Sequence, residues 1–268
     1  MENIAALVRE RRSVRTFDGR ALLPEDLKRL NAFLSQTENP YQIPVVFKFL
    51  EGKELKCPVV SGTELFIGAK APAVPHMEEA VGYSFEKLVL YAQSLGIGTV
   101  WVGGTMNRAA FEQAIGLAPE EKMPCMSPLG YPAKKMSVKE TVMRKAIKAN
   151  NREPFEALFF KNSFDTPLTK SDAALLAEPL EALRWAPSAV NKQPWRAVWD
   201  GAAVHFYLKH AKGFVSDAVG DMQKIDMGIA LCHFELSAKE NKLEPHFCIA
   251  DPGLPTAEGT EYIASYRL

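Results

Sequence analysis

The sequence predicts an α+β protein in which one chain contains two similar half-domains. Three observations predict this fold class: the length of 268 residues with 47% apolar composition, a weak internal duplication, and helical and strand periodicities that alternate in each half. A chain of this size can bury a full hydrophobic core, at the usual scale of about 150 residues per domain. We expect the half-domains to cover residues 1–150 and 151–268.

The duplication consists of two blocks that recur in the same order and at nearly the same spacing. The Phe-Asp pair at 17–18, followed by a predicted helix, recurs at 164–165 before a second predicted helix. Further along each half, Gly82 corresponds to Gly228 within a long helix. Self-similarity at a fixed spacing indicates repeated structural units.

In the first half, apolar spacing predicts helices over residues 1–10 and from Pro24 to Leu34. A longer helix follows, with the apolar face Phe85, Leu88, Val89, Ala92 and Leu95, and we expect it to end at Gly96 in a left-handed C-cap. It leads into a predicted strand at 99–102 and a helix at 107–114.

The second half repeats this order after a polar joining segment at 145–154. A helix is predicted to carry Leu175, Leu176, Leu180 and Leu183. The helix at 225–238 is apolar almost all round, so we expect it at the centre of the core. Alternation at 261–266 predicts a final strand.

Composition excludes several classes of function. The 32 basic and 32 acidic residues balance, so the chain lacks the positive field that a nucleic acid or an anionic membrane would require. The four cysteines and five histidines show no metal-ligand spacing, and no metal site is expected. With no apolar run of about 20 residues and no signal peptide, we expect a cytoplasmic protein.

A basic pentapeptide, R-R-S-V-R at 11–15, follows the first helix. Guanidinium groups repel one another, so a protein that clusters them usually shares an anion among them, and a phosphate monoester fits this need. The alternative is a solvated helix end, where cations are favoured by the helix dipole.

The segment A-P-S-A-V-N-K-Q-P-W at 186–195 predicts a stiff polar loop. Its two prolines restrict the backbone, and Ser188, Asn191 and Gln193 offer groups that could hydrogen-bond a planar heterocycle. The alternative is a helix-to-strand connection in which Asn191 satisfies its own turn. Similarly, Gly103 and Gly104 indicate either a close approach of the backbone to a ligand or a simple turn.

Five segments resemble blocks of the nitroreductase family of FMN-dependent enzymes, in the tandem subgroup in which one chain imitates the family homodimer. They are R-R-S-V-R at 11–15, S-L-G-I-G-T-V-W at 94–101, L-G-Y-P at 129–132, A-P-S-A-V-N-K-Q-P-W at 186–195 and I-D-M-G-I-A at 225–230. They span nearly the whole chain, and the fourth is the most specific.

The resemblance implies a nitroreductase-like fold of two intertwined half-domains with FMN bound between them. The second half shows L-F-F-K-N at 158–162 where the first has its basic segment. Conversely, the first half has S-Q-T-E-N-P at 35–40 in place of the polar loop. Because each half lacks what the other retains, we expect one tightly bound FMN per chain.

The resemblance also implies roles for individual residues. The residues implied for the FMN phosphate are Arg11, Arg12, Ser13 and Arg152, with Arg15 near the N1 and O2 edge of the ring. The residues implied to line the flavin from the second half are Pro187, Ser188, Asn191 and Gln193, with Gly103 and Gly104 giving backbone contacts near N5. No catalytic side chain is implied, because the cofactor performs the chemistry.

The implied activity is that of an NAD(P)H-dependent flavin oxidoreductase. Hydride would pass from NADH or NADPH through flavin N5 to a small-molecule acceptor such as a nitroaromatic or a quinone. Two alternatives stay open: a flavin-binding sensor without turnover, and a non-catalytic scaffold that keeps only the pseudo-dimer. Since the internal duplication removes the usual reason to dimerise, we expect a monomer.

Overall fold

The computed structural model describes residues 1–268 and contains nine α-helices. In chain order they are α1 Ile4–Glu10, α2 Pro24–Phe33, α3 Met77–Ser94, α4 Arg108–Ile115, α5 Val138–Ala146, α6 Phe155–Leu158, α7 Lys170–Ala173, α8 Ala177–Arg184 and α9 Met222–Glu240. No helix combines the length and the apolar character that crossing a membrane would require.

Ten β-strands complete the secondary structure. In chain order they are β1 Val46–Glu51, β2 Leu65–Pro72, β3 Glu121–Pro128, β4 Phe159–Lys161, β5 Trp195–Trp199, β6 Ala203–Lys209, β7 Val215–Ser216, β8 Gly220–Asp221, β9 His246–Cys248 and β10 Thr260–Arg267.

The first half contains an antiparallel sheet in the order β1-β2-β3. Residues 98–102 make only isolated bridges, from Val102 to Met126 of β3 and from Gly98 to Gly130 just after β3. The prediction of a regular strand at 99–102 is therefore wrong. The backbone N–H of Val100 donates to the Ser127 hydroxyl at 3.0 Å, so a side chain interrupts the backbone ladder there.

The second half contains a sheet in the order β4-β5-β6-β10-β9, antiparallel except for the parallel pair β4 and β5. The predicted final strand is confirmed as β10, which lies between β6 and β9. In both halves a hairpin precedes the long helix and the middle strand of the sheet belongs to that hairpin, as with β2 and β6.

The long helices α3 and α9 pack against each other along their length and are buried almost all round. Two glycines permit their close approach. A Cβ atom at Gly82 would lie 2.2 Å from the carbonyl oxygen of Ile225, and one at Gly228 would lie 2.0 Å from that of Glu79. The two contacts are reciprocal, since each glycine faces the residue three positions before the other. We call the packed faces of α3 and α9 the seam.

Most of the other predicted helices are confirmed. Helix α2 begins at Pro24 with two acidic residues in its first turn, which suits a helix N-terminus. Helix α3 ends before Gly96, whose φ of +71° is left-handed. The helix predicted through Leu175 is broken into α7, a 3₁₀ turn and α8, because Ala174 has φ +47° and leaves Leu175 exposed.

Two main apolar clusters form the cores of the two halves. The larger one gathers 27 buried residues, mostly from α6, α8, α9 and the five-stranded sheet, and Tyr83 of α3 also belongs to it. The smaller one gathers 15 residues around α3 and the three-stranded sheet. Helix α1 packs through Ile4, Leu7 and Val8 against Leu90 and Ala182, so the first helix of the chain contacts the second half.

Candidate anion-binding site

A cavity of about 250 Å³ lies where three distant segments of the chain meet. Its walls come from residues 9–13, 144–152 and 185–191. The structure therefore brings together the basic segment and the polar loop that the sequence singled out. Of the predicted site residues, those on the cavity wall are Arg11, Arg12, Ser13, Arg152, Pro187, Ser188 and Asn191.

The basic segment reaches the cavity because the chain leaves α1 in an extended conformation. Arg11 caps the helix with φ −56° and ψ 128°, and its N–H still donates to the Leu7 carbonyl. Ser13 then forms a parallel bridge with Thr99, and the Val14 N–H donates to the Thr99 carbonyl at 2.8 Å. Side chains of an extended segment alternate between two faces, and Val14 is buried against Gly98.

Positive charge dominates the cavity wall. Five arginines line it, at positions 9, 11, 12, 144 and 152, against the single carboxylate of Glu10. The buried Nε atoms of Arg11 and Arg152 have no hydrogen-bond partner, and neither do Nε and Nη1 of Arg15, which lies off the wall. Buried donors without acceptors are costly, and a phosphate group would supply several charged acceptor oxygens. The residues present thus fit a phosphate anion.

The pKa values of these arginines reflect the same crowding. Burial, then repulsion from Arg11, Arg184 and Arg144, lowers the pKa of Arg152 to about 10. Burial is also the main cause that lowers the pKa of Arg11 and of Arg144, with Arg12 adding to the effect at Arg144. All of them stay protonated at neutral pH, so a bound anion would relieve their mutual repulsion.

Glu140 offsets part of this charge and fixes the basic segment to α5. Its two oxygens accept from Arg12 Nη1 at 3.0 Å and from the Arg15 N–H at 3.2 Å. Ser137 caps the same helix end and hydrogen-bonds to Thr16 at 3.0 Å. The start of α5 therefore sets the direction in which the basic segment runs.

The polar loop is conformationally strained and held from beneath. Val190, Asn191 and Gln193 have φ of +44°, +60° and +49°, a region that side chains with a Cβ rarely adopt. The Ala189 N–H donates to both oxygens of the buried Asp226, at 3.0 and 3.1 Å. The Gln193 N–H donates to the Ser188 hydroxyl at 2.9 Å. These bonds fix Ser188 at the cavity.

The side chains of Asn191 and Gln193 contact the segment that joins the halves. Asn191 Nδ2 donates to the carbonyls of Lys148 and Asn151, at 2.9 and 3.1 Å, while Arg152 donates to its Oδ1. Gln193 is buried off the cavity wall, where its Oε1 accepts from the Glu153 N–H at 2.9 Å. The structure therefore brings Asn191 to the cavity but places Gln193 behind it.

Gly103 and Gly104 also lie off the cavity wall. The Gly103 carbonyl accepts from the Arg108 guanidinium, and the position lies near Met222 at the start of α9. Neither glycine N–H donates to an acceptor within the protein.

Several residues of the site were not predicted from the sequence. Arg144 looks like part of an exposed helical face, and only the fold turns it towards the cavity. Trp185 stacks with Arg152, whose guanidinium carbon lies 4.9 Å from the ring centroid. Asp226 had a detectable sequence signal, because an acid inside an almost wholly apolar helix requires a polar partner.

Comparisons with known proteins agree with this fold. A family model described as "Putative TM nitroreductase" matches residues 3–238. Among solved structures, that of a "putative nitroreductase" from Thermotoga maritima is 21% identical, covers 98% of this chain and 93% of its own, and superposes with a TM-score of 0.62. A search of curated proteins found no match.

Other solved structures match about half of the chain. One is named an FMN-dependent nitroreductase from Clostridium difficile, with 16% identity, 52% of this chain and 94% of its own covered, and a TM-score of 0.42. The Thermotoga likeness confirms the nitroreductase-like α+β fold that the sequence predicted. Because the family model spans most of its length, the chain belongs to this nitroreductase family.

Proposed function

We propose that the chain is an FMN-dependent oxidoreductase that binds one FMN in the cavity between residues 9–13 and 185–191. One observation carries this proposal: the basic segment and the polar loop line the same cavity, although more than half of the chain separates them. FMN combines a phosphate monoester, which is mostly dianionic at neutral pH with a second pKa of about 6, with a planar heterocycle.

The phosphate is assigned to the arginine-rich wall. Arg12, Arg144 and Arg152 present guanidinium groups there, Ser13 adds a hydroxyl, and Arg11 approaches from the interior. Arginine binds phosphate in a bidentate manner, so several forks around one group give both affinity and orientation.

The ring system is assigned to residues around the loop. Pro187, Ser188 and Asn191 offer a rigid surface, and Gln193 supports it by holding the joining segment. The unpaired N–H groups of Gly103 and Gly104 and the buried donors of Arg15 are assigned to the ring edge.

The cofactor would supply hydride transfer between a nicotinamide donor, NADH or NADPH, and a small-molecule acceptor such as a nitroaromatic or a quinone. The residues of this chain bind and orient it. A buried cation such as Arg15 favours a ring that gains negative charge on reduction, since electrostatic stabilisation is strong where water is excluded.

We further propose that residues 1–150 and 151–268 form an internal pseudo-dimer that functions as a monomer. The reciprocal contacts of the two seam glycines support this proposal. Gly82 faces Ile225, and Gly228 faces Glu79. A two-fold axis produces such pairs, because each contact is repeated between the equivalent residues of the two halves.

The proposal is tested by the visible spectrum of the purified protein and by titration with FMN. We expect a flavin spectrum and saturation at one FMN per chain. Anaerobic mixing with NADH or NADPH should then bleach the flavin rapidly. A flavin that binds without bleaching would indicate a sensor, whereas a protein that cannot bind FMN would contradict the proposed function.

A further inference from the structure

A buried polar network lies in the seam directly behind the cavity. Glu86 of α3 is fully buried, and its two oxygens face His233 Nε2 of α9 at 2.8 Å and Trp101 Nε1 at 2.9 Å. His233 is also fully buried, and its Nδ1 lies 3.0 Å from the carbonyl oxygen of Ala182. A polar network at the centre of an apolar core is costly unless every member has a partner.

Arg11 connects this network to the cavity. Its side chain is 5% exposed, its Nε lies 3.8 Å from Glu86 Oε1, and no other carboxylate pairs with it. Its guanidinium makes no hydrogen bond within the protein, although it lies on the cavity wall. Burial lowers the pKa of Arg11, Glu86 opposes that shift, and Arg144 adds to it. Glu86 is thus the group that stabilises the Arg11 charge in place.

We propose that Glu86 and His233 are positioning residues that hold the Arg11 guanidinium at the cavity and so set how much the phosphate contributes to flavin binding. The inference rests on the proposed function, and neither residue lies on the cavity wall. Glu86 comes from the first half and His233 from the second. Through Arg11, the network therefore connects the seam between α3 and α9 to the proposed phosphate site.

The net charge of Glu86 together with His233 determines whether a substitution of Glu86 should strengthen or weaken binding of the phosphate. Because Nδ1 of His233 faces a carbonyl, it carries a proton, and a second proton is shared between Nε2 and Glu86. The pair therefore has no net charge wherever the second proton lies.

A glutamine at position 86 can replace both hydrogen bonds of Glu86, the one with Trp101 and the one with His233. The amide oxygen can accept from Trp101, and the amide NH₂ can donate to Nε2 of a neutral His233. The net charge stays the same, but an N–H donor now faces Arg11. The arginine loses its attraction to this position, so the contribution of the phosphate should fall.

The experiment compares the affinities for FMN and riboflavin, which differ by the phosphate alone. In Glu86→Gln we expect the preference for FMN to fall about tenfold, the size of one charge-assisted hydrogen bond. Riboflavin affinity should stay unchanged. The matched control is Glu235→Gln, which alters a buried acid of α9, bonded to Tyr266 and Lys239, and should leave both affinities unchanged.

A double-mutant cycle tests whether Glu86 acts through Arg11. In the Arg11→Gln background, Glu86→Gln should have no further effect on the preference, since residues in one network are not additive. If Glu86→Gln does not fold, Trp101→Phe removes one donor to Glu86 and should lower the preference about threefold.

An unchanged preference in the folded variant would overturn the inference. So would an equal loss for FMN and riboflavin, which would indicate a purely structural role, or a further fall in the Arg11→Gln background. Failure of the wild-type protein to bind FMN is a different result, because it would overturn the proposed function itself.

Discussion

Residues 11–15 and residues 158–162, which the sequence comparison aligns in the two halves, lie in different surroundings. Residues 11–15 after α1 stay off the regular sheet, bridge Thr99 through Ser13 and place arginines on a cavity. Residues 158–162 begin at the last residue of α6 and contain β4, which pairs in parallel with β5, and they bury Leu158 and Phe159 in the core. Positions that the proposed repeat pairs with each other thus form a cavity wall in one half and part of the core in the other.

The two segments have the same length, so the difference in their surroundings comes from their side chains and from the residues that they contact. Phe159 packs edge-on against Phe155 with ring centroids 4.6 Å apart, so the second segment fills its own space. The first segment keeps buried guanidinium donors that the protein does not satisfy. An aromatic core needs no further partner, whereas clustered cations need an anion.

The largest expected effect is on FMN binding by the first segment. Arg11→Ala with Arg12→Ala removes two charged donors worth about 1.5–3 kcal/mol each, so FMN affinity should fall at least about 100-fold. Equilibrium titration followed by flavin fluorescence measures this. The matched control is Arg20→Ala with Arg29→Ala, two exposed arginines of the same half. Full FMN occupancy in the first variant would remove the phosphate assignment.

For the second segment the effect should appear in stability instead. Phe159→Ala deletes a fully buried ring and should lower the free energy of unfolding by about 3–5 kcal/mol. Denaturant unfolding checks this against Ser13→Ala in the first segment, whose half-buried hydroxyl makes no hydrogen bond within the protein and should matter little for folding. Comparable losses of stability in the two variants would break the contrast between the segments.

The seam gives a symmetric prediction. Gly82→Ala and Gly228→Ala each place a Cβ within 2.2 Å of a backbone carbonyl oxygen. Each substitution should therefore lower the free energy of unfolding by at least about 2–3 kcal/mol. Gly104→Ala, with open space around its Cβ, is the control. If one seam glycine tolerates alanine and the other does not, the proposed two-fold relation fails.

Much of this contrast was visible in the sequence. The basic segment, the polar loop and the glycine pair carry local signals. The structure places the first two on the wall of one cavity and the glycine pair in the seam. No local sequence signal marked Arg144, Glu86 or His233, because the residues that they contact lie far away in the chain. Gln193 looked like a ligand contact since its bond to Glu153, 40 residues away, cannot be seen locally.

The strand at 99–102 shows a second limit of sequence patterns. The sequence predicts a strand there, but ladder formation depends on the groups that the neighbouring segments offer. Ser127 presents a hydroxyl to Val100, and Thr99 turns its carbonyl to Val14 of the basic segment. The pattern of one segment does not contain the side chains of its partners.

A smaller effect should appear in the pH dependence of FMN affinity. Affinity should rise from pH 5 to 7 as the phosphate loses its second proton near about 6. It should fall again as the pH approaches about 10, the pKa to which burial and neighbouring arginines lower Arg152. Arg152→Gln should reduce affinity about tenfold at neutral pH and flatten the alkaline fall. An identical alkaline fall in that variant would show that Arg152 does not cause it.

The smallest effect is expected at Lys161, the one cation of the second segment. It is exposed and forms no ion pair. Lys161→Ala should change the free energy of unfolding by less than about 0.5 kcal/mol and leave FMN affinity unchanged. A marked loss of FMN affinity would mean that the second segment still contributes to a flavin site.

The most direct measurement is a crystal structure of the chain with FMN. We predict one FMN per chain, with its phosphate against Arg12, Ser13 and Arg152 and its ring against residues 187–191. An FMN held by only one half, or bound away from the cavity between residues 9–13 and 185–191, would contradict the proposal that both halves build a single site.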